Sequence, residues 1–197
     1  KSRSRGLGDV YKRQVVLSPN AIKRLSTFHP ERPMPKIFRL VKNGKLIEGV
    51  YEGETLNTPS MFCVADALDS LMWIKEIGGL TETIRRSNEN FKCLQSWVDK
   101  TPWIENLVSD PRNRSNTSVC LKFSDERFIS LIPDEKTRFV KEFVALLDVE
   151  IAAFDIKGHR NAPPGLRIWC GATINLDDIQ KLLPWLEYCF HEIISSY

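Results

Sequence analysis

Residues 166–179, Leu166-Arg167-Ile168-Trp169-Cys170-Gly171-Ala172-Thr173-Ile174-Asn175-Leu176-Asp177-Asp178-Ile179, decide the fold class. The run 166–170 is short and apolar apart from one arginine, the composition of a buried strand. Asn175 then stands where a helix N-cap belongs, and Asp177 and Asp178 lie in the first turn, against the positive end of the helix dipole. Ile179, Leu182, Leu186 and Phe190 follow at three- and four-residue spacing as the buried stripe. A strand followed directly by an amphipathic helix predicts a layered α/β arrangement.

The alternation extends upstream as far as Pro102. Residues 103–108 and 117–123 read as strands, 134–148 as a helix with Phe139, Phe143 and Leu147 inside, and 151–156 as a further strand. Before Pro102 the period is helical. One helix starts at Asn57-Thr58-Pro59-Ser60, carries Phe62, Ala65, Leu68 and Met72, and stops at Gly78-Gly79; a second carries Ile84, Phe91, Leu94, Trp97 and Val98. Further upstream, 15–17 reads as a short strand and 20–28 as a short helix. Three prolines break residues 29–35, and Lys36 to Leu40 followed by Lys42-Asn43-Gly44-Lys45 predicts strand, turn, strand. No internal repeat is visible, and the domain boundary is expected near Gly78-Gly79.

Composition narrows the function classes. The 197 residues are 42% hydrophobic and 27% charged, enough to bury a core, and no run of about 18 apolar residues predicts a membrane span. The net charge of +3 is misleading. Residues 1–14, KSRSRGLGDVYKRQ, carry five basic residues against one acid, which leaves residues 15–197 at −1, so the body lacks the basic face that nucleic-acid binding needs. That opening segment has no apolar periodicity and is read as foreign to the fold, with the natural chain beginning upstream. Five scattered cysteines without a C-x-x-C pair point to reduced thiols in a cytoplasmic protein rather than to disulfides or a metal set. Cys63, Cys120 and Cys170 are read as core residues. There is no Walker loop or G-x-G-x-x-G, so ATP and dinucleotide chemistry are unsupported.

Three segments carry polar residues that packing does not demand. At residues 52–60, Asn57, Thr58 and Ser60 gather at a helix start, which serves either as a cap or as an anion site. At residues 157–171, Arg167 interrupts an apolar strand, and its planar fork suits a carboxylate or phosphate; His159 and Arg160 add cationic donors in the Gly/Pro-rich loop before it. The alternative there is a solvated loop and an arginine paired with a glutamate. Residues 110–117 read as a solvated turn.

Together EGETLNTPSM (52–61), TPWI (101–104), RSNTSVCLKF (114–123) and APPGLRIWCGAT (162–173) resemble the C-terminal part of phosphoserine aminotransferases, and the resemblance covers residues 15–197. It implies part of a fold-type I transferase that uses pyridoxal 5′-phosphate: the end of the large cofactor-binding domain over 15–79 and the small α/β domain over 80–197. The implied reaction takes 3-phosphohydroxypyruvate and L-glutamate to O-phospho-L-serine and 2-oxoglutarate, in serine biosynthesis, by a cytoplasmic homodimer without nucleic-acid or membrane partners. By the same resemblance Asn57 and Thr58 reach across the homodimer to the phosphate of the partner's cofactor. Arg167 grips the substrate α-carboxylate, while His159 and Arg160 hold the substrate's phosphate. Neither Lys1 nor Lys12 has the position or flanks of the Schiff-base lysine, so no catalytic residue is assigned and the chain is expected not to transaminate alone. Another fold-type I aminotransferase, or a non-catalytic α/β interaction module, remains as an alternative.

Overall fold

The computed structural model describes residues 17–52, 54, 58, 60–159 and 161–197. The segment 1–14, most of the strand expected at 15–17, Asn57 and Arg160 therefore lie outside the described residues. The chain divides into a first unit ending at Trp73 and a second from Ile74 to Tyr197.

In the first unit Ser18 caps helix α1 (Pro19–Thr27), its Oγ accepting the Ala21 N–H at 3.2 Å, with proline at the first helical position. Residues Lys36–Phe38 form a 3-10 turn instead of the expected strand. Pro33 and Pro35 have no N–H to offer a ladder, and the segment bonds to itself, Phe38 N–H to Pro35 O at 3.0 Å and Arg39 N–H to Lys36 O at 3.1 Å. The expected turn follows: β1 (Val41–Lys42) and β2 (Lys45–Leu46) pair across Asn43 and Gly44, both with positive φ, as a tight hairpin requires. A second 3-10 turn, Glu48–Tyr51, leads toward α2 (Met61–Glu76), which runs across the unit boundary and buries none of its residues.

Gly78, at φ 117°, ends that helix in a conformation only glycine takes freely, and α3 (Gly79–Val98) follows at once. The second unit then holds β3 (Ile104–Asn106), β4 (Ser118–Phe123), α4 (Glu126–Ser130), α5 (Pro133–Val149), β5 (Gly165–Trp169) and α6 (Leu176–Ile194). The three strands form one antiparallel sheet in the order β3-β4-β5, with Leu121 opposite Leu166 and Cys120 opposite Arg167. Along β4 burial alternates strictly: Val119, Leu121 and Phe123 are buried, while Ser118, Cys120 and Lys122 are half-buried. One face of the sheet thus enters the core. The helices supply the rest of that core, with Leu94, Phe139, Phe143, Leu147, Leu186 and Phe190 fully enclosed. Its centre is aromatic: Trp103 stacks on Phe190 at 4.1 Å, and Phe123 meets Phe128, Phe139 and Phe143 within 5.4 Å.

Polar groups in this unit tie its elements together. Glu187 of α6 accepts from the indoles of Trp97 at 2.8 Å and Trp103 at 2.9 Å, which brings the end of α3 and the start of β3 onto α6. Asn90, deep in α3, donates to the carbonyl of Ile174 at 2.9 Å and so holds the turn after β5. Asn175 is the N-cap of α6 as expected. Its N–H goes to Asp178 at 3.2 Å and its side-chain oxygen accepts from Arg86 at 2.7 Å.

The strand expected at 151–156 does not form. At the end of α5 the Ala152 N–H returns to Leu147 O at 3.0 Å, with Ile151 in the left-handed region at φ 57°, the geometry of a helix C-terminal cap. Ile151 and Phe154 consequently face outward. A strand-like contact begins only at Ile156, whose carbonyl accepts the Arg167 N–H at 2.7 Å, and at the bridge between Lys157 and Leu166.

Of the thiols read as core, Cys170 is fully enclosed, whereas Cys63 and Cys120 are half-buried; Cys189 is the second enclosed thiol. Burial pushes Cys170 up to about 12 and Cys189 up to about 11. A thiol proton held more tightly in the folded state adds stability that is complete below the ordinary thiol value and is lost as pH rises toward 11–12. Both thiols are therefore expected to resist iodoacetamide at pH 8.5 in the native chain and to react in urea, and the urea midpoint should fall above pH 9. Native-state alkylation of Cys170 at the rate of a free thiol contradicts this placement.

Candidate functional site

The loop between Ile156 and Leu166 is closed at its base by two glycines. Gly158 donates its N–H to Gly165 O at 2.9 Å, and a β-carbon on Gly158 would come within 3.1 Å of that oxygen. At Gly165 the constraint is harder, since a β-carbon would lie 2.2 Å from Leu121 O on the neighbouring strand. Strand β5 and β4 can approach only because residue 165 has no side chain. Pro163 and Pro164 stiffen the return of the loop, and Ala162 N–H closes a turn on His159 O at 2.8 Å.

This clasp positions His159. Its Nδ1 accepts the Asn161 N–H at 3.2 Å. His159 lines a cavity of about 200 Å³ with Lys157, Gly158, Ala162, Gly165 and, from α5, Thr137. Lys157 was not singled out from the sequence. Only its alternation with His159 across one glycine hinted that two cationic groups share a rim.

Arg167 stands elsewhere. It is the outward residue of β5 between buried Leu166 and Ile168, on the sheet face opposite the core, opposite Cys120 and two residues from the exposed Trp169. Its guanidinium is 39% exposed and lies 4.0 Å from the Asp155 carboxylate, itself 65% exposed. Its partner is thus an aspartate from the segment misread as a strand, not a glutamate. The indole of Trp169 donates to Thr173 at 3.1 Å, fixing the aromatic edge of the same face. Lys122 and Glu105 pair with each other at 2.9 Å across β4 and β3. Among the described residues His159 and Arg167 do not line a common pocket.

At the helix start, Ser60 takes the capping role, its Oγ accepting the Cys63 N–H at 3.5 Å and its carbonyl the Val64 N–H at 3.1 Å. Thr58 is not that cap, and its side chain is exposed. The turn at 110–117 is solvated as read: Asp110 pairs with Arg112 at 2.9 Å and lies below the usual carboxylate range through that guanidinium. Arg114 folds back on the carbonyls of Val108 and Ser109. No cluster of three metal-ligating side chains occurs among the described residues, and none of their helices is long and apolar enough to cross a membrane.

No family model matches the chain. Over 89% of its length it is 43% identical to a phosphoserine aminotransferase of Methanosarcina mazei, and over 90% it is 43% identical to that of Methanosarcina barkeri. The chain spans about 45% of the length of these curated relatives. Its fold is similar to part of a phosphoserine aminotransferase from Bacillus circulans subsp. alkalophilus, with a TM-score of 0.59 over 73% of this chain and 36% of that one at 22% identity. The pyridoxal-phosphate-bound enzyme of Trichomonas vaginalis gives 0.56 over 70% and 36% at 23% identity. The mixed helix and sheet architecture is that of a portion of these solved structures.

Because the β4 backbone leaves no room at residue 165, Gly165→Ala should destabilise the chain by about 1–3 kcal/mol and release the 158–165 loop. Gly158→Ala, facing a contact of 3.1 Å, should be milder. Urea unfolding and hydrogen exchange at the Gly158 amide measure both; equal protection in wild type and Gly165→Ala refutes the clasp.

Proposed function

We propose that this chain, similar to phosphoserine aminotransferases over nine tenths of its length and folded as a portion of them, is part of such an enzyme. The observation that carries the reading is the 43% identity over 176 residues, 89% of the chain. The reaction proposed is amino transfer between L-glutamate and 3-phosphohydroxypyruvate, giving O-phospho-L-serine and 2-oxoglutarate, in the cytoplasm. Pyridoxal 5′-phosphate, when bound, supplies the carbonyl and the electron-withdrawing ring that such a transfer needs.

The residues of this chain bind and orient. Arg167, on an open sheet face with its fork half-exposed, suits the α-carboxylate common to both amino acids, because a planar guanidinium can hold both carboxylate oxygens at once. His159, with Arg160, takes the phosphate of the phosphorylated substrate, and the cavity that His159 shares with Lys157 is cationic on its rim. Thr58 and Asn57 hold the cofactor phosphate of the partner subunit in a homodimer. The exposed hydroxyl of Thr58, left over once Ser60 caps the helix, is a donor of the right type for a phosphate oxygen.

The lysine that attaches the cofactor is assigned to no residue here, and the isolated chain is proposed to be inactive. Incubation with pyridoxal 5′-phosphate, borohydride reduction and mass spectrometry should find no single lysine modified stoichiometrically. One defined adduct, at Lys12 for example, overturns this part of the reading.

In the whole enzyme Arg167→Lys should impair both half-reactions. Loss of one partner of a desolvated charged pair costs about 2–5 kcal/mol, several orders of magnitude in rate at the upper end. Arg160→Ala should raise KM for phosphoserine more than for glutamate. Stopped-flow measurement of the two half-reactions separates these roles, and equal losses on both substrates in the Arg160 variant remove its assignment to the phosphate.

A further inference from the structure

We infer that Asp155 is a displaceable counter-ion of Arg167 that sets how tightly the open face of the sheet binds a carboxylate; the identity of that carboxylate rests on the reading above, the counter-ion role only on Arg167 as an anion site.

Three observations carry it. First, Asp155 is held in place by the backbone. It follows the C-terminal cap of α5, sits in the left-handed region at φ 58°, and precedes Ile156, whose carbonyl is fixed by the Arg167 N–H at 2.7 Å. Aspartate is among the few residues with a side chain that accept this conformation at low cost. Second, the anchored backbone brings its carboxylate to 4.0 Å from the Arg167 guanidinium. That is close enough for a charge interaction and too long for a hydrogen bond, so the guanidinium is neutralised while the fork of donors is not consumed. Third, the pair is open to solvent, at 39% and 65% exposure, while Lys122 and Glu105 on the same sheet are paired with each other.

A ligand carboxylate approaching Arg167 meets the negative charge of Asp155 at the same guanidinium. It can form two charge-assisted hydrogen bonds to the guanidinium, from which the Asp155 carboxylate stands 4.0 Å away, and so displaces that weaker contact. Asp155 therefore lowers carboxylate affinity without blocking the site. An exposed ion pair of this kind is worth a factor of about two to five in an equilibrium constant.

The test titrates acetate and L-glutamate into the 197-residue chain at constant ionic strength, reading the backbone amide of Arg167 by NMR. Asp155→Asn, which retains the tolerance for positive φ, should tighten acetate about two- to fivefold, and the gain should vanish in Asp155→Asn/Arg167→Gln. Asp155→Gly, which relieves the backbone instead, should give the same gain, so a folding defect in one variant does not decide the matter. Unchanged or weaker acetate binding in both variants, with wild-type binding lost in Arg167→Gln, overturns the counter-ion and leaves the Arg167 assignment standing. Absence of Arg167-dependent binding in every variant overturns both. Tightened acetate with no binding of glutamate supports the counter-ion and removes the amino-acid reading.

Discussion

The two-residue period of the β4–β5 pair is the constraint on which the rest of the second unit depends. Val119, Leu121, Phe123, Leu166 and Ile168 share one face and are all buried. A slip of one residue in either strand would exchange its faces. At about 1.5–3 kcal/mol for each large apolar side chain, exposing the three of β4 would cost roughly 5–9 kcal/mol, comparable to the whole stability of a marginal domain. The register is thus set by burial, and the outward position of Arg167 is a consequence. An arginine inserted between Leu166 and Ile168 has no other face to occupy.

The same reasoning explains what was legible in advance. Helices α5 and α6 carry clean apolar stripes that are observed core residues, whereas of the stripe expected on α3 Leu94 and Val98 are buried, Phe91 and Trp97 are half-buried and Ile84 is exposed. Arg167 was legible for the complementary reason, as the lone charge in an apolar strand. Local chemistry was harder to read. The 3-10 turn at Lys36–Phe38 follows from the missing amide protons of Pro33 and Pro35, and α4, five residues long, is too short to display a period. The helix-start cluster contained three capping candidates, and only the hydrogen bond to Ser60 distinguishes the cap from the residues left over.

Glycine rather than charge governs the loop before β5. Gly165 lets the strand reach Leu121 O, and Gly158 lets the other end of the loop reach Gly165 O. Lys157 and His159 are therefore carried on a base whose geometry comes from main-chain contacts. The bonds that close this base, Gly158 N–H to Gly165 O and Ala162 N–H to His159 O, are both between main-chain groups. A loop whose base is closed by main-chain bonds holds its side chains in a preorganised arrangement.

The segment 151–156 joins these threads. Ile151, Ala152, Ala153, Phe154 and Ile156 have the composition of a buried strand, yet Ile151 and Asp155 both take positive φ and the chain turns twice before pairing with β5. A straight strand would have aligned Asp155 with its neighbours along the sheet. The two turns instead deliver its carboxylate to the guanidinium of Arg167. The cost is local, of the order of 1–2 kcal/mol for a side-chain-bearing residue in this region, and it is spread over a helix cap that would form in any case. The departure from sequence periodicity and the electrostatics of the candidate site therefore have one cause, which is where a mismatch between local preference and final structure is expected to fall.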